Sequence, residues 1–157
     1  MEQYLDAMIQ SMNEKSDCLK QLLEMTEQQE RAISGEGIDW DTFDRLIDEK
    51  EALIERLEQL DDGFQAVFDK IREELEGKKT QYKDRIAKIQ GQIRQVTDQS
   101  NALIAAEQRN KTIMENATSM ERKRIRQTKT NAKLASNYYN SMNRINYIDP
   151  QLMDKKK

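Results

Sequence analysis

The fold is decided by residues 39–76, which read DWDTFDRLIDEKEALIERLEQLDDGFQAVFDKIREELE. Apolar side chains recur in this stretch every three or four residues, as they do on one face of an α-helix. The spacing continues across Gly63, so the pattern predicts one helix, helix two, and not two shorter ones. The apolar positions are Trp40, Phe43, Leu46, Ile47, Leu53, Ile54, Leu57, Leu60, Phe64, Val67, Phe68, Ile71 and Leu75. Because so many apolar side chains need covering, we expect helix two at the centre of a bundle.

A second amphipathic pattern precedes this stretch and predicts helix one over residues 2–34. The glycines at 35 and 37 favour a helix end, because glycine adopts positive φ values at little cost. Asp39 is a good N-cap for helix two, and Ile38 and Phe43 are spaced around it as a hydrophobic staple. The sequence therefore predicts a tight junction between two helices.

Helix three is predicted over residues 79–140, where two series of core positions repeat every seven residues. One series starts at Tyr82 and the other at Ile86, and both begin with apolar residues. The start of helix three is therefore expected to pack antiparallel on helix two. From Glu121 to Asn131 every position of both series is polar, so packing on the bundle is expected to fail there. The pattern resumes at Ala135, Tyr138, Met142 and Ile145.

These helices predict an all-α fold, an elongated antiparallel three-helix bundle or coiled coil with a long C-terminal third helix that continues past the other two. We expect residues 1–145 to form this single helical bundle and residues 146–157 to form a flexible tail. The composition agrees, since 36% of the 157 residues are hydrophobic, 35% are charged and the one proline is Pro150. Glu107 and Asn110 occupy core positions, where a polar residue lowers stability but can fix the register.

The residue types present exclude most enzyme chemistry. The chain contains no histidine, which removes histidine bases, Ser-His and Cys-His nucleophiles and histidine metal sites. Its one cysteine, Cys18, is expected to be an inert, partly buried thiol, and Gly35-Glu36-Gly37 lacks the pattern of a phosphate loop. Acidic pairs such as Asp61 and Asp62 are expected on solvated helix surface. We predict that the protein is not an enzyme and has no catalytic residue, cofactor or metal site.

Targeting and membrane signals are absent from the sequence. The N-terminal stretch has no basic region, and the longest uninterrupted apolar run is residues 102–106. The lone cysteine agrees with a reducing compartment. We therefore predict a cytoplasmic protein without membrane insertion.

Charge is segregated along the chain. Residues 36–76 carry 5 basic and 15 acidic side chains, whereas residues 77–157 carry 18 basic and 7 acidic ones. This favours pairing of helix two with helix three and explains the basic run from Arg122 to Arg126. Nucleic-acid binding is the alternative for that run, but the chain is acidic overall and the run lacks interleaved aromatic residues. We predict no nucleic-acid partner.

The order of these features resembles the FlgN-type flagellar export chaperones. The residues that carry the resemblance are Glu30-x-Ala32-Ile33-x-Gly35, the short break to Asp39, and Leu46-Ile47-x-Glu49-Lys50-Glu51-x-Leu53-Ile54-x-x-Leu57, followed by a long polar third helix. The similarity runs from about Leu5 to Tyr139. The junction from Gly35 to Asp39 is longer than the family's usual Gly-Asp, and no glycine follows Tyr138-Tyr139-Asn140.

The resemblance implies a cytoplasmic chaperone of flagellar type III secretion. Such a chaperone binds the amphipathic terminal helices of hook-filament junction proteins and delivers these proteins to the export gate. Which tyrosine docks on the gate, Tyr138 or Tyr139, is left open by the missing glycine.

A candidate partner-binding site follows from the predicted overhang of helix three. Its apolar residues would continue the core pattern beyond the reach of helix two and lack an internal partner, so they would form an exposed patch. Methionines suit such a surface because their side chains adapt to different partners, although they also serve as ordinary core residues. Basic residues between them could guide an acidic helix into place. The site comprises Ile113, Met114, Ala117, Met120, Arg122, Arg124, Leu134, Ala135, Tyr138, Tyr139 and Met142.

One alternative function is a coiled-coil structural protein or an export-motor component similar to the FliJ type, without a role in holding cargo. A spacer should be polar and regular to its end, whereas this chain ends in apolar and aromatic residues such as Tyr147 and Ile148. That ending favours partner binding. The sequence leaves both a monomer and a homodimer open, and it does not identify the cargo.

Overall fold

A computed structural model describes residues 1–35, 37–116 and 128–137 of the chain. Three long helices account for most of them: α1 (Glu2–Ser34), α2 (Trp40–Glu76) and α3 (Lys83–Asn116). Residues 128–137 form a shorter helical segment, α4. The described residues contain no strand, so the all-α prediction is confirmed. None of the described helices is long and apolar enough to span a membrane.

The junction between α1 and α2 forms largely as predicted. Asp39 caps α2, accepting hydrogen bonds from the backbone nitrogen of Thr42 at 3.1 Å and from its hydroxyl at 2.6 Å. Ile38 packs against the cluster that contains Phe43, as a hydrophobic staple requires. The positive φ expected for a glycine is wrong at Gly35, which is extended at φ −87° and ψ 179°. Here Asp39 donates its backbone N–H to the carbonyl of Ala32 at 2.9 Å, which satisfies the end of α1 without a left-handed residue.

The centre of the bundle is α1 and not α2, which corrects the expectation from the sequence. α1 lies against both α2 and α3, whereas the backbones of α2 and α3 do not pack on each other. Arg85 on α3 pairs with Asp6, and Asn110 bonds to Thr26, so α1 and α3 run parallel. α2 runs antiparallel to both. α1 can take the central place because its buried residues come from more than one stripe, including Lys15, Ser16 and Cys18 beside the apolar ones.

The two seven-residue series of helix three are buried without exception as far as Met114, and their polar members are buried with the apolar ones. The buried positions are Tyr82, Ile86, Ile89, Ile93, Val96, Ser100, Leu103, Glu107, Asn110 and Met114. The predicted core face of α3 is therefore confirmed.

The expectation of one long third helix that outruns the bundle is wrong in the described residues. A straight helix continued from Asn116 would place residue 134 about 27 Å further along the axis, at 1.5 Å per residue. Leu134 instead packs against the main core and lies beside Ile54 of α2. Lys129, near the start of α4, pairs with Glu115 near the end of α3 at 3.8 Å. α4 therefore runs back alongside the bundle.

Packing was also expected to fail between residues 121 and 131, yet Thr128 and Asn131 are buried on α4 together with Ala132 and Ala135. All four side chains are short, which lets a helix approach its neighbours closely. The remaining residues between 121 and 127, and the predicted tail at 146–157, lie outside the described part of the chain.

Candidate partner-binding site

Two of the predicted partner-binding residues, Ile113 and Met114, belong to a small apolar cluster at one end of the bundle. Met114 is 2% exposed and packs with Ile33, Phe43 and Ile47, and Ile113 lies half-buried against the same cluster. The premise that these residues lack an internal partner is therefore wrong. They hold the last turn of the described α3 against the α1–α2 junction.

Two further predicted residues, Leu134 and Ala135, lie on α4. Ala135 is 3% exposed, and Leu134 is half-buried against the main core. Leu134 therefore has partners within the chain, which include Ile54 of α2. The other predicted residues, Ala117, Met120, Arg122, Arg124, Tyr138, Tyr139 and Met142, lie outside the described residues.

A surface groove of about 440 Å³ runs along α2 beside α4. Ile54 forms its apolar floor, and Leu134 enters it from α4. The α2 side is lined by Asp48, Glu51, Ala52, Glu55 and Glu58. We call these residues with Ile54 the α2 groove. The four carboxylates are exposed and form no ion pair with any residue that the structure describes.

The sequence interpretation missed the α2 groove, although a signal was present. Asp48, Glu51, Glu55 and Glu58 are spaced by three or four residues, which places them on one side of a helix next to Ile54. The apolar face of helix two was assumed to be covered entirely by helices one and three. At one edge of this face, Leu134 of α4 instead lies beside Ile54.

A layer of buried polar side chains crosses the bundle next to the groove. Lys50, four residues before Ile54, is fully buried and pairs with Glu107, which is 3% exposed. Lys50 also donates to Gln29 at 2.8 Å, and Thr26 donates to Glu107 at 3.0 Å. Burial lowers the pKa of Lys50, and the Glu107 carboxylate opposes that shift. The side chains of this polar layer are Thr26, Gln29, Lys50, Glu107 and Asn110.

The polar layer separates two apolar regions of the core. On one side lies the main cluster, which includes Leu22, Ile54 and Leu103. On the other lies the small end cluster of Ile33, Phe43, Ile47 and Met114. A second buried ion pair, Lys15 with Asp61, joins α1 to α2 within the main core, so the expectation that Asp61 lies on solvated helix surface is wrong.

Chemically reactive groups are sparse in the described part of the chain. Burial raises the pKa of the Cys18 thiol, which keeps it in its unreactive protonated form. Among the described residues, no group of three cysteine or acidic side chains is placed to hold a metal ion. The features that distinguish the described surface are therefore the α2 groove and the helical segment α4 that lies beside it.

Comparison with known proteins gives one finding. A family model described as FlgN protein matches residues 1–146 of the chain, which includes every helix of the described structure. No curated protein and no solved structure shows significant similarity to it.

Proposed function

Because this chain belongs to the FlgN family, a family of flagellar export chaperones, we propose that it binds the amphipathic terminal helices of hook-filament junction proteins before their export. Such helices cannot bury their apolar faces until the subunits polymerise. A chaperone in the cytoplasm can cover them in the meantime by offering a helix-sized apolar surface. Delivery to the export gate is part of the same proposal.

The observation that carries this proposal is the small amount of apolar side chain that residues 128–137 bury against the bundle. The apolar residues that α4 buries are Ala132 and Ala135, with Leu134 only half-buried, whereas α1 buries Leu5, Met8 and several residues of similar size. A fully buried leucine contributes about 1.5 to 3 kcal/mol, and alanine much less. Replacing α4 by a helix of another protein would therefore cost little free energy.

The C-terminal residues predicted from the sequence remain the proposed cargo contacts. When α4 leaves α2, Leu134 and Ala135 become accessible next to Tyr138, Tyr139 and Met142 in the sequence. These residues can then cover a second side of the cargo helix. For an acidic cargo helix, as expected from the sequence, Arg122 and Arg124 are proposed to increase the rate of encounter more than the affinity.

The direct test uses purified junction proteins and variants that leave the described helices intact. Removing residues 138–157, or replacing Tyr138 and Met142 together with Ser, should weaken capture at least tenfold while the melting temperature stays the same. A shorter chain ending before Ile113 is a poor test, because Met114 supports the end cluster. If both variants bind junction proteins with full affinity, the cargo contacts do not lie in residues 138–157.

The FliJ-like alternative makes a different prediction. An export-motor component without a cargo role would not bind junction proteins at all. The FlgN family match favours the chaperone of these two alternatives.

A further inference from the structure

We propose that the α2 groove is the docking site for a basic amphipathic helix, which displaces α4 and takes its place. This inference rests on the proposed function, since it identifies where the cargo helix binds and which chemistry it carries. It differs from the sequence-based expectation that an acidic helix is guided by the arginines after Met120.

The first step of the argument is that α4 occupies its position with little apolar contact. Thr128, Asn131, Ala132 and Ala135 face inward and are small or polar. Leu134 is the largest apolar side chain among the described residues of α4, and it lies at the edge of the contact. α4 therefore contributes less apolar side chain to the core than α1, α2 or α3 does.

The second step is that the groove has room for larger side chains. Its volume of about 440 Å³ extends along α2 beside Leu134, over the buried side chain of Ile54. A helix with leucine, isoleucine or methionine at the inward positions would bury more apolar surface there than α4 does. Each additional buried methylene changes the equilibrium about fourfold in favour of the incoming helix.

The third step concerns charge. Asp48, Glu51, Glu55 and Glu58 extend along the groove without a basic partner in the described structure. α4, which lies beside the groove, carries two exposed lysines, of which Lys129 pairs with Glu115 of α3 and Lys133 forms no ion pair with a described residue. A helix with basic residues beside its apolar stripe would complement the four carboxylates, whereas an acidic helix would be repelled.

The last step is competition. As long as α4 keeps its position beside the groove, a helix that needs this position can bind only the fraction of molecules in which α4 has left, and its apparent affinity is lowered by that fraction. α4 therefore protects an apolar surface in the absence of cargo and disfavours weak or non-specific helices. Occupancy of the groove by cargo frees Leu134 and Ala135 of α4 for a second contact.

The test uses the full-length protein and two synthetic amphipathic peptides with the same leucine-rich face. One peptide carries lysines beside that face and the other carries glutamates at the same positions. Fluorescence anisotropy should show binding of the lysine peptide at least tenfold tighter than that of the glutamate peptide. Hydrogen exchange at the amides of residues 128–137 should become faster when the lysine peptide is bound.

The matched variants separate groove binding from general attraction to an acidic protein. E51K combined with E55K should weaken binding of the lysine peptide about tenfold. E73K combined with E76K, which makes the same change in net charge at the far end of α2, should leave it nearly unchanged. Equal effects of the two double variants, equal binding of the two peptides, or unchanged exchange in residues 128–137 would each overturn the inference.

The failure of this inference can be told apart from failure of the proposed function. If wild-type protein captures junction proteins and E51K/E55K does so equally well, the groove assignment is wrong and the chaperone proposal stands. If wild-type protein binds no junction protein, the chaperone proposal is wrong, and the groove inference loses the cargo it names.

Discussion

At the level of single residues, the sequence predicted that some polar residues are buried in the core but not which side chains they pair with. The seven-residue pattern placed Glu107 and Asn110 on the buried face, and both are buried. It could not identify Lys50 as the partner of Glu107, because a periodic pattern assigns a residue to a face but does not say which side chains meet across the core. Lysine is also among the residues least often buried, and only a paired one is tolerated there.

The ion pair between Lys50 and Glu107 leads to a first prediction. Lys50→Met should lower the free energy of unfolding by about 3 to 5 kcal/mol, because it leaves Glu107 buried without a cationic partner. Combining Lys50→Met with Glu107→Leu should recover most of that loss. Urea denaturation measures both changes, and Lys20→Met, at an exposed site on α1, is the control. A single variant as stable as the wild type would show that Glu107 does not depend on Lys50.

Asn110 gives a second prediction at this scale, and the structure reverses its sign. From the sequence alone, Asn110→Leu is expected to raise the melting temperature, since it replaces a polar core residue by an apolar one. The Asn110 amide, however, donates to the carbonyl of Thr26 at 3.0 Å from a site that is 1% exposed. The larger leucine would lose this bond and overfill a close-packed site, at about 1 to 3 kcal/mol for the overpacking. We therefore expect the melting temperature to fall, and a rise would show that the layer tolerates an apolar residue.

At the level of the helices, the local signals were reliable and the long-range ones were not. The cap at Asp39, the staple of Ile38 and Phe43, and the continuity of α2 across Gly63 were all predicted, because each depends on residues close in sequence. The path of the chain after Asn116 was not predicted correctly. A heptad pattern specifies which face is buried, and α4 keeps that face buried at Thr128, Asn131 and Ala135 while running in the opposite direction.

The capping interaction predicts how stability depends on pH. Hydrogen bonds from the hydroxyl and backbone of Thr42 hold the pKa of Asp39 below its usual value. Since the folded state favours the charged form, the contribution of Asp39 is present above the unfolded pKa of about 3.9 and is lost as the pH falls through the lower folded value. Asp39→Ala should therefore lower the melting temperature at neutral pH, and much less once the pH is below the folded pKa of Asp39.

Asp39→Asn is the control for this prediction, because asparagine also caps helices but does not titrate. Its melting temperature should lie above that of Asp39→Ala at neutral pH. A difference between wild type and Asp39→Ala that stays constant from neutral to acid pH would argue against an ionic contribution from the cap.

At the level of the whole molecule, the described residues form a core in two parts and a helical segment, α4, that packs against it. The candidate site could be predicted only in part, because the sequence shows that Leu134 is apolar but not that it lies against α2. This contact could be predicted only if it were known which edge of α2 is not covered by α1 and α3. The family resemblance, in contrast, was evident from the residues around Gly35 and Glu49, and the family match over residues 1–146 confirms it.

The central claim is that this protein holds the terminal amphipathic helix of a hook-filament junction protein. Isothermal titration of the full-length chain with a purified monomeric junction protein, at several temperatures, tests it most directly. We predict saturable binding with a negative heat-capacity change, because an apolar helix face is buried on association. Removing the terminal helices from the junction protein should abolish the binding. No binding to the intact junction protein, or equal binding after its terminal helices are removed, would contradict the claim.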